Sequence, residues 1–108
     1  MEIVNSAEDL KKTIDSNKMV LVYFANNECN VCVNMKPKIE KLLQNYPKIR
    51  GIYVDIKKLL YISSNYMIFS IPALLIYVEG KETIRQARHI SIKDIDEKIS
   101  RLYNLLFH

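Results

Sequence analysis

The residues of this chain best placed to do covalent chemistry are its two cysteines, which stand in the order Cys29-Asn30-Val31-Cys32. An apolar run from Val20 to Ala25 precedes them and predicts a buried strand, and a short polar turn through Asn26 and Asn27 follows it. Beyond the cysteines, apolar residues recur at helical intervals, so Cys29 falls at the N-terminal end of a helix. Unpaired backbone N–H groups and the positive end of the helix dipole favour a thiolate there. The thiolate is the reactive form, and such sites lower a cysteine pKa below its free value of about 8.5. Cys32 lies one turn further on, within reach of any mixed disulfide formed at Cys29. A strand, a turn and a C-x-x-C at a helix start predict a dithiol–disulfide exchange site. Two incidental buried thiols are the bland alternative. A metal site is disfavoured, because the pair supplies two ligands where zinc normally takes four. Neither His89, in a distant loop, nor the terminal His108 has ligand spacing to the cysteines.

The elements that must position this pair are legible as hydropathy patterns. Ile3-Val4 predicts a short edge strand, and Ser6 to Asp9 has capping-box spacing before a helix carrying Ala7, Leu10 and Ile14 on one face. That helix gives way to the central strand at about Met19. The helix after the cysteines presents Cys32, Met35, Ile39, Leu42, Leu43 and Tyr46 on one stripe. Pro37 falls inside it and is expected to remove a backbone hydrogen bond and bend it. Gly51 to Ile56 predicts a second, parallel strand, and Lys57 to Tyr66 a short helix. Ile71 to Val78 predicts a further strand, and Glu79-Gly80 a tight turn that returns Lys81 to Arg88 antiparallel. Ser91 to Asp94 is a second capping box, opening an amphipathic helix with Ile92, Ile95, Ile99, Leu102 and Leu106 in step. The order βαβαβαββα predicts an α/β fold, a mixed sheet with helices on both faces.

Composition narrows the function classes. At 108 residues the chain reads as a single domain, 1–108, with two glycines and three prolines leaving little room for linkers. It begins Met-Glu-Ile-Val-Asn without a basic region followed by an apolar one, and its longest apolar stretch, Ala73 to Val78, is far too short to span a bilayer. A reducing, cytoplasmic setting is therefore expected, and in it a lone cysteine pair is catalytic or metal-binding rather than a structural staple. The 16 Lys+Arg and 12 Asp+Glu give +4, interleaved along the chain with no aromatic-rich basic motif, which predicts a solvated surface and no nucleic-acid partner.

Three separated features together resemble the thioredoxin superfamily. They are Val22-Tyr-Phe-Ala-Asn-Asn-Glu-Cys-Asn-Val-Cys32, then Pro37 five residues after the second cysteine, then Tyr66-Met-Ile-Phe-Ser-Ile-Pro-Ala-Leu-Leu-Ile-Tyr-Val-Glu-Gly-Lys81. The resemblance implies the thioredoxin fold. It implies that Cys29 attacks a substrate disulfide and Cys32 resolves the intermediate, the dithiol itself being the redox group with no bound cofactor. It also implies that Ile71–Pro72 is cis and helps hold an extended substrate strand. The departures from the family pattern are local. Glu28 stands where Trp usually precedes the first cysteine, and Asn30-Val31 replace Gly-Pro. The family's buried Asp, which assists proton transfer from the second cysteine, falls on Tyr23, which is neutral near pH 7 and cannot act as the same base. The groove glycine before the last helix falls at about Arg88, next to His89.

The expected function is thiol–disulfide oxidoreduction of protein substrates by a monomer, recharged by an upstream reductase, with no membrane partner. The alternatives are a thioredoxin-fold binding module with little turnover, and a disulfide oxidase or isomerase. The groove is expected to be lined by Asn27, Glu28, Asn30, Val31, Ile71, Pro72 and the Arg88–His89 turn. Glu28 reads first as a solvated acid; its functional alternative is electrostatic, opposing thiolate formation at Cys29 while Arg88 and His89 across the groove favour it, and an exposed Glu28–Arg88 pair is expected to restrict the client set. Tyr23 is expected in the core, with a hydrogen bond toward Cys32 as the alternative, and Met35 is expected as packing.

Overall fold

The computed structural model describes residues 1–107. Nine elements follow one another: β1 (Glu2–Ile3), α1 (Ala7–Ser16), β2 (Met19–Ala25), α2 (Asn30–Gln44), β3 (Arg50–Asp55), α3 (Leu60–Asn65), β4 (Ala73–Val78), β5 (Lys81–Ala87) and α4 (Ile92–Leu106). The five strands form one sheet in the order β1-β3-β2-β4-β5. β1, β3 and β2 run parallel, whereas β4 is antiparallel to β2 and to β5. This is the mixed α/β sheet that the element order predicts.

β2 is the spine. All seven of its residues are buried, as a central strand covered on both faces requires. Alternation sends Met19, Leu21, Tyr23 and Ala25 to a core completed by α2 and α4, with Ile39, Leu42, Ile95 and Ile99. Val20, Val22 and Phe24 go to the other face, against Leu10 and Ile14 of α1 and Ile62 of α3. Both serine caps form. The Asp9 N–H donates to Ser6 Oγ at 3.0 Å and the Asp94 N–H to Ser91 Oγ at 3.1 Å, each satisfying one N–H that a helix start leaves unpaired. Glu79 and Gly80 take φ of +51° and +82°, the left-handed pair that a two-residue hairpin turn needs.

Several boundaries differ from expectation. The strand expected from Gly51 to Ile56 begins at Arg50, paired with Val20, and stops at Asp55, whose side chain and carbonyl capture the N–H groups of Lys57, Lys58 and Leu59 and turn the chain. The helix expected over residues 57–66 shrinks accordingly to Leu60–Asn65. The strand expected at Ile71 begins at Ala73, because Pro72 carries no N–H for the ladder. The β5 ladder ends at Ala87, and Arg88 takes φ +66°. Pro37 sits within a helix assigned without interruption from Asn30 to Gln44, on its exposed side.

Register fixes what stands at the working end of the sheet. Ala25 is opposite Asp55, Phe24 opposite Ala73, and Ala73 opposite Ala87. The turn after β2, the turn after β3, Pro72 before β4 and Arg88 after β5 therefore share one end.

Candidate active site

Cys29 caps α2 in an extended conformation (φ −92°, ψ +109°), and its Sγ accepts the Cys32 N–H at 3.2 Å. A thiol thus occupies the place that Ser6 and Ser91 fill on the other helices. The sulfur stands at the exposed start of the helix with one face directed to the Cys32 N–H. The turn that delivers it is closed by Cys29 N–H donating to the Asn26 carbonyl at 3.1 Å.

Cys32 lies one turn inward and is only 2% exposed. Burial pushes its thiol up to about 11, and a hydrogen bond with the Cys29 side chain raises it further, against smaller opposing effects of backbone N–H groups at Asn26 and at Cys32 itself. Helix phase thus makes the two cysteines unlike. Cys29 is half-buried at the surface, and Cys32 is sealed and held as a thiol.

Tyr23 is fully buried, and its hydroxyl donates to the Cys32 carbonyl at 2.8 Å, so core packing and the hydrogen bond toward Cys32 hold together. Burial, followed by the neighbouring cysteines, drives its phenol well above the ordinary range. The group beside the second cysteine is a neutral donor. Tyr53 of β3 lies next to it, with ring centroids 6.0 Å apart.

Sequence reasoning missed the buried Asn26–Asp55 pair, having treated Asn26 as a turn residue. Asn26 Nδ2 donates to Asp55 Oδ1 at 3.0 Å, and Asn26 Oδ1 accepts the Glu28 N–H at 2.8 Å. Burial raises the Asp55 carboxyl, but hydrogen bonds from Asn26 and from the N–H groups of Lys57 and Lys58 outweigh it and hold the group below the usual carboxylate range. The pair ties the cysteine turn to the β3–α3 turn. Two polar residues directly after and at the ends of neighbouring parallel strands are the sequence signal that would have found it.

The expected Glu28–Arg88 pair is not formed. Glu28 pairs instead with Lys57 Nζ, because the β3–α3 turn folds Lys57 across the sheet end beside it. Arg88 is anchored through its backbone, its N–H donating to the Pro72 carbonyl at 2.7 Å, and its guanidinium has no partner among the described residues. Ile71–Pro72 is cis, as the family resemblance implies. Pro72 is buried and Ile71 half-buried against both cores, while Val31 is 55% exposed on the first turn of α2. Asn30 and His89 are exposed, Asn27 Oδ1 accepts the Tyr53 hydroxyl at 3.3 Å, and Met35 packs against the core. His108 lies outside the described residues.

Comparison with known proteins converges on one group. The family model described as Thioredoxin matches residues 2–101. A thioredoxin of Mycoplasmoides gallisepticum is 32% identical over 95 residues, covering 88% of this chain and 94% of that protein. The thioredoxin-like protein YdfQ of Bacillus subtilis is 24% identical over 102 residues, covering 94% and 91%. Among solved structures, Fasciola hepatica thioredoxin superposes with a TM-score of 0.84 at 26% identity, covering 94% of this chain and 98% of that one.

Proposed function

We propose that this chain, which belongs to the thioredoxin family and is thereby a thiol–disulfide oxidoreductase, reduces disulfide bonds of a restricted set of partner proteins through Cys29 and Cys32. The observation that carries the reading is the asymmetry of the two thiols, one capping α2 with its sulfur accepting an N–H at 3.2 Å, the other 2% exposed a turn away. The Cys29 thiolate attacks one sulfur of the partner disulfide, a new S–S bond forms, and the other partner sulfur leaves as a thiolate that takes up a proton. Cys32 then gives up its proton and attacks Cys29 Sγ, releasing the second partner thiol. The cysteine pair loses the two electrons that the partner gains, and an upstream reductase restores the dithiol. No bound cofactor enters.

The site surface supports selectivity. Glu28 with Lys57 and an uncommitted Arg88 bring charge to the sheet end, and charged rims act on partner choice and association rate more than on affinity. The test is insulin-type disulfide reduction with dithiothreitol as the recharging thiol, followed by mass spectrometry of variants incubated with a disulfide partner. Cys29→Ser is expected to abolish reduction, and Cys32→Ser to accumulate a covalent adduct at Cys29. Preferential alkylation of Cys32 in the reduced protein would overturn the assignment of roles.

A further inference from the structure

The ionisable groups around the cysteine end of the sheet do not balance. Four cations gather there: Lys57 and Lys58 in the turn after β3, Arg88 after β5, and Lys36 on α2. Lys36 stands 4.8 Å over the Tyr53 ring and shares with Lys58 and Asn27 the wall of a cavity of about 160 Å³. Two carboxylates, Glu28 and Asp55, lie in the turns after β2 and β3, and neither is available to a partner. Glu28 is engaged by Lys57. Asp55 is buried, with its carboxylate taken by Asn26 and by the Lys57 N–H. Lys58 helps to lower Asp55 through its charge, but like Lys36 and Arg88 it makes no salt bridge among the described residues. Ion pairs elsewhere include Lys11–Asp15, Arg50–Glu2 and Arg85–Glu82, and Asp94, in the first turn of α4 beyond Arg88, is itself engaged by Lys98 and by the Gln86 amide.

Arg88 adds an independent observation. It holds φ +66°, a left-handed conformation that a residue with a Cβ adopts at a cost and glycine almost freely. The conformation is held by the Arg88 N–H bond to the Pro72 carbonyl and the His89 N–H bond to the Ala87 carbonyl, which fix the point at the sheet end from which the side chain projects. That side chain is a guanidinium with no hydrogen-bond or salt-bridge partner among the described residues, carried by the residue whose backbone is tied to Pro72.

We propose that the partner disulfides this site accepts are flanked by acidic side chains, with Arg88 on one side of Cys29 and Lys58 on the other as the receiving cations. This rests on the reductase reading above and specifies its substrate class. An acidic flank would give salt-bridge partners to two cations that have none among the described residues, whereas a basic flank would meet like charge, so rejection of wrong partners follows from the same groups. Because the cations are exposed, the preference acts on encounter and is screened by salt, with a Debye length of about 10 Å at 0.1 M.

The experiment uses the full chain and two synthetic disulfide peptides that differ only in having Glu or Lys on both sides of one cysteine. Neutral 2-hydroxyethyl disulfide serves as a third substrate that reports thiol chemistry alone. The expected kcat/KM ratio favours the Glu peptide by about fivefold at low ionic strength and collapses toward unity in 1 M salt. The double variant Lys58→Gln, Arg88→Asn is expected to abolish the ratio; Asn tolerates the left-handed backbone at 88. Equal rates, or a preference for the Lys peptide, with 2-hydroxyethyl disulfide still reduced would overturn the acidic-client proposal and leave the reductase reading standing. A ratio that persists in the double variant would also overturn it, since other groups would then be the source. Failure to reduce any of the three substrates would overturn both.

Discussion

Replacing Tyr23 by phenylalanine separates what this side chain does for the fold from what it does for the chemistry. The substitution deletes one hydroxyl, whose bond to the Cys32 carbonyl is 2.8 Å long and fully buried. That carbonyl lies inside α2 and keeps its own helical donor four residues on, so no orphan polar group remains. The cost is then that of one net buried hydrogen bond, about 1 kcal/mol. For a domain of this size it corresponds to a fall in Tm of about 4–8 °C. The chemistry is expected to be nearly untouched. The phenol is held neutral by burial, well above its ordinary pKa, and its proton is already donated to a carbonyl. Urea unfolding of the reduced protein measures the first quantity. The second is read by stopped-flow release of thiol from a preformed Cys29 mixed disulfide, between pH 7 and 9. We expect the release rates of Tyr23→Phe and parent to agree within about twofold. A positioned acid or base contributes about 10²–10⁴-fold. A tenfold or greater loss of release rate with stability unchanged would therefore refute the reasoning and place Tyr23 in the proton path.

Asn26→Ala is expected to be more damaging, at about 2–4 kcal/mol in chemical unfolding. It removes a bond to a buried carboxylate and a cap on the Glu28 N–H together, and bonds to charged groups are worth about 1.5–3 kcal/mol each. The reduced protein should also lose stability between about pH 9 and 11. Cys32 keeps its proton in the fold up to about 11, whereas the unfolded thiol releases it near its ordinary value, so the unfolded state alone gains by ionising in that window. The loss from this group is about 2–3 kcal/mol, at 1.36 kcal/mol per pH unit. Tyrosines titrate there too, so the difference between the parent and Cys32→Ser unfolding curves isolates it; parallel curves would contradict the burial argument.

The fold was legible wherever local chemistry and tertiary demand agree. The apolar run of β2, the two serine caps and the Glu79-Gly80 turn each state their structure within a few residues. Cys29 as a helix cap was readable for the same reason, since a strand, a short turn and helical spacing leave little choice about where the helix starts. What was not legible depends on register. Asn26 and Asp55 are 29 positions apart and meet because Ala25 pairs with Asp55 across parallel strands. The same register, with Asp55 turning the chain just after β3, brings Lys57 rather than Arg88 to Glu28. Neither partner choice is written in periodicity. The left-handed backbone at Arg88 was hidden for the opposite reason. Its residue type argues against that conformation, which the tie to Pro72 and the His89 N–H bond to the Ala87 carbonyl impose together.

That the group beside Cys32 is the neutral donor Tyr23 has a consequence for the resolving step of the proposed cycle. Cys32 must lose a proton to attack, yet burial holds it as a thiol and the group beside it is a donor. Asp55, the buried carboxylate nearest along the sheet, is occupied by Asn26 and the Lys57 N–H and held below the usual carboxylate range, which makes it a poor proton acceptor. The base must then come from the reaction itself. The first attack leaves a partner thiolate beside the site, and that thiolate can accept the Cys32 proton before it departs. Resolution would on this account follow the basicity of the leaving partner sulfur. A series of mixed disulfides whose first-leaving thiols differ in pKa should be resolved at different rates while the leaving group is still bound, and at one common, slower rate once it has been washed away. A single rate under both conditions would assign the proton to solvent instead.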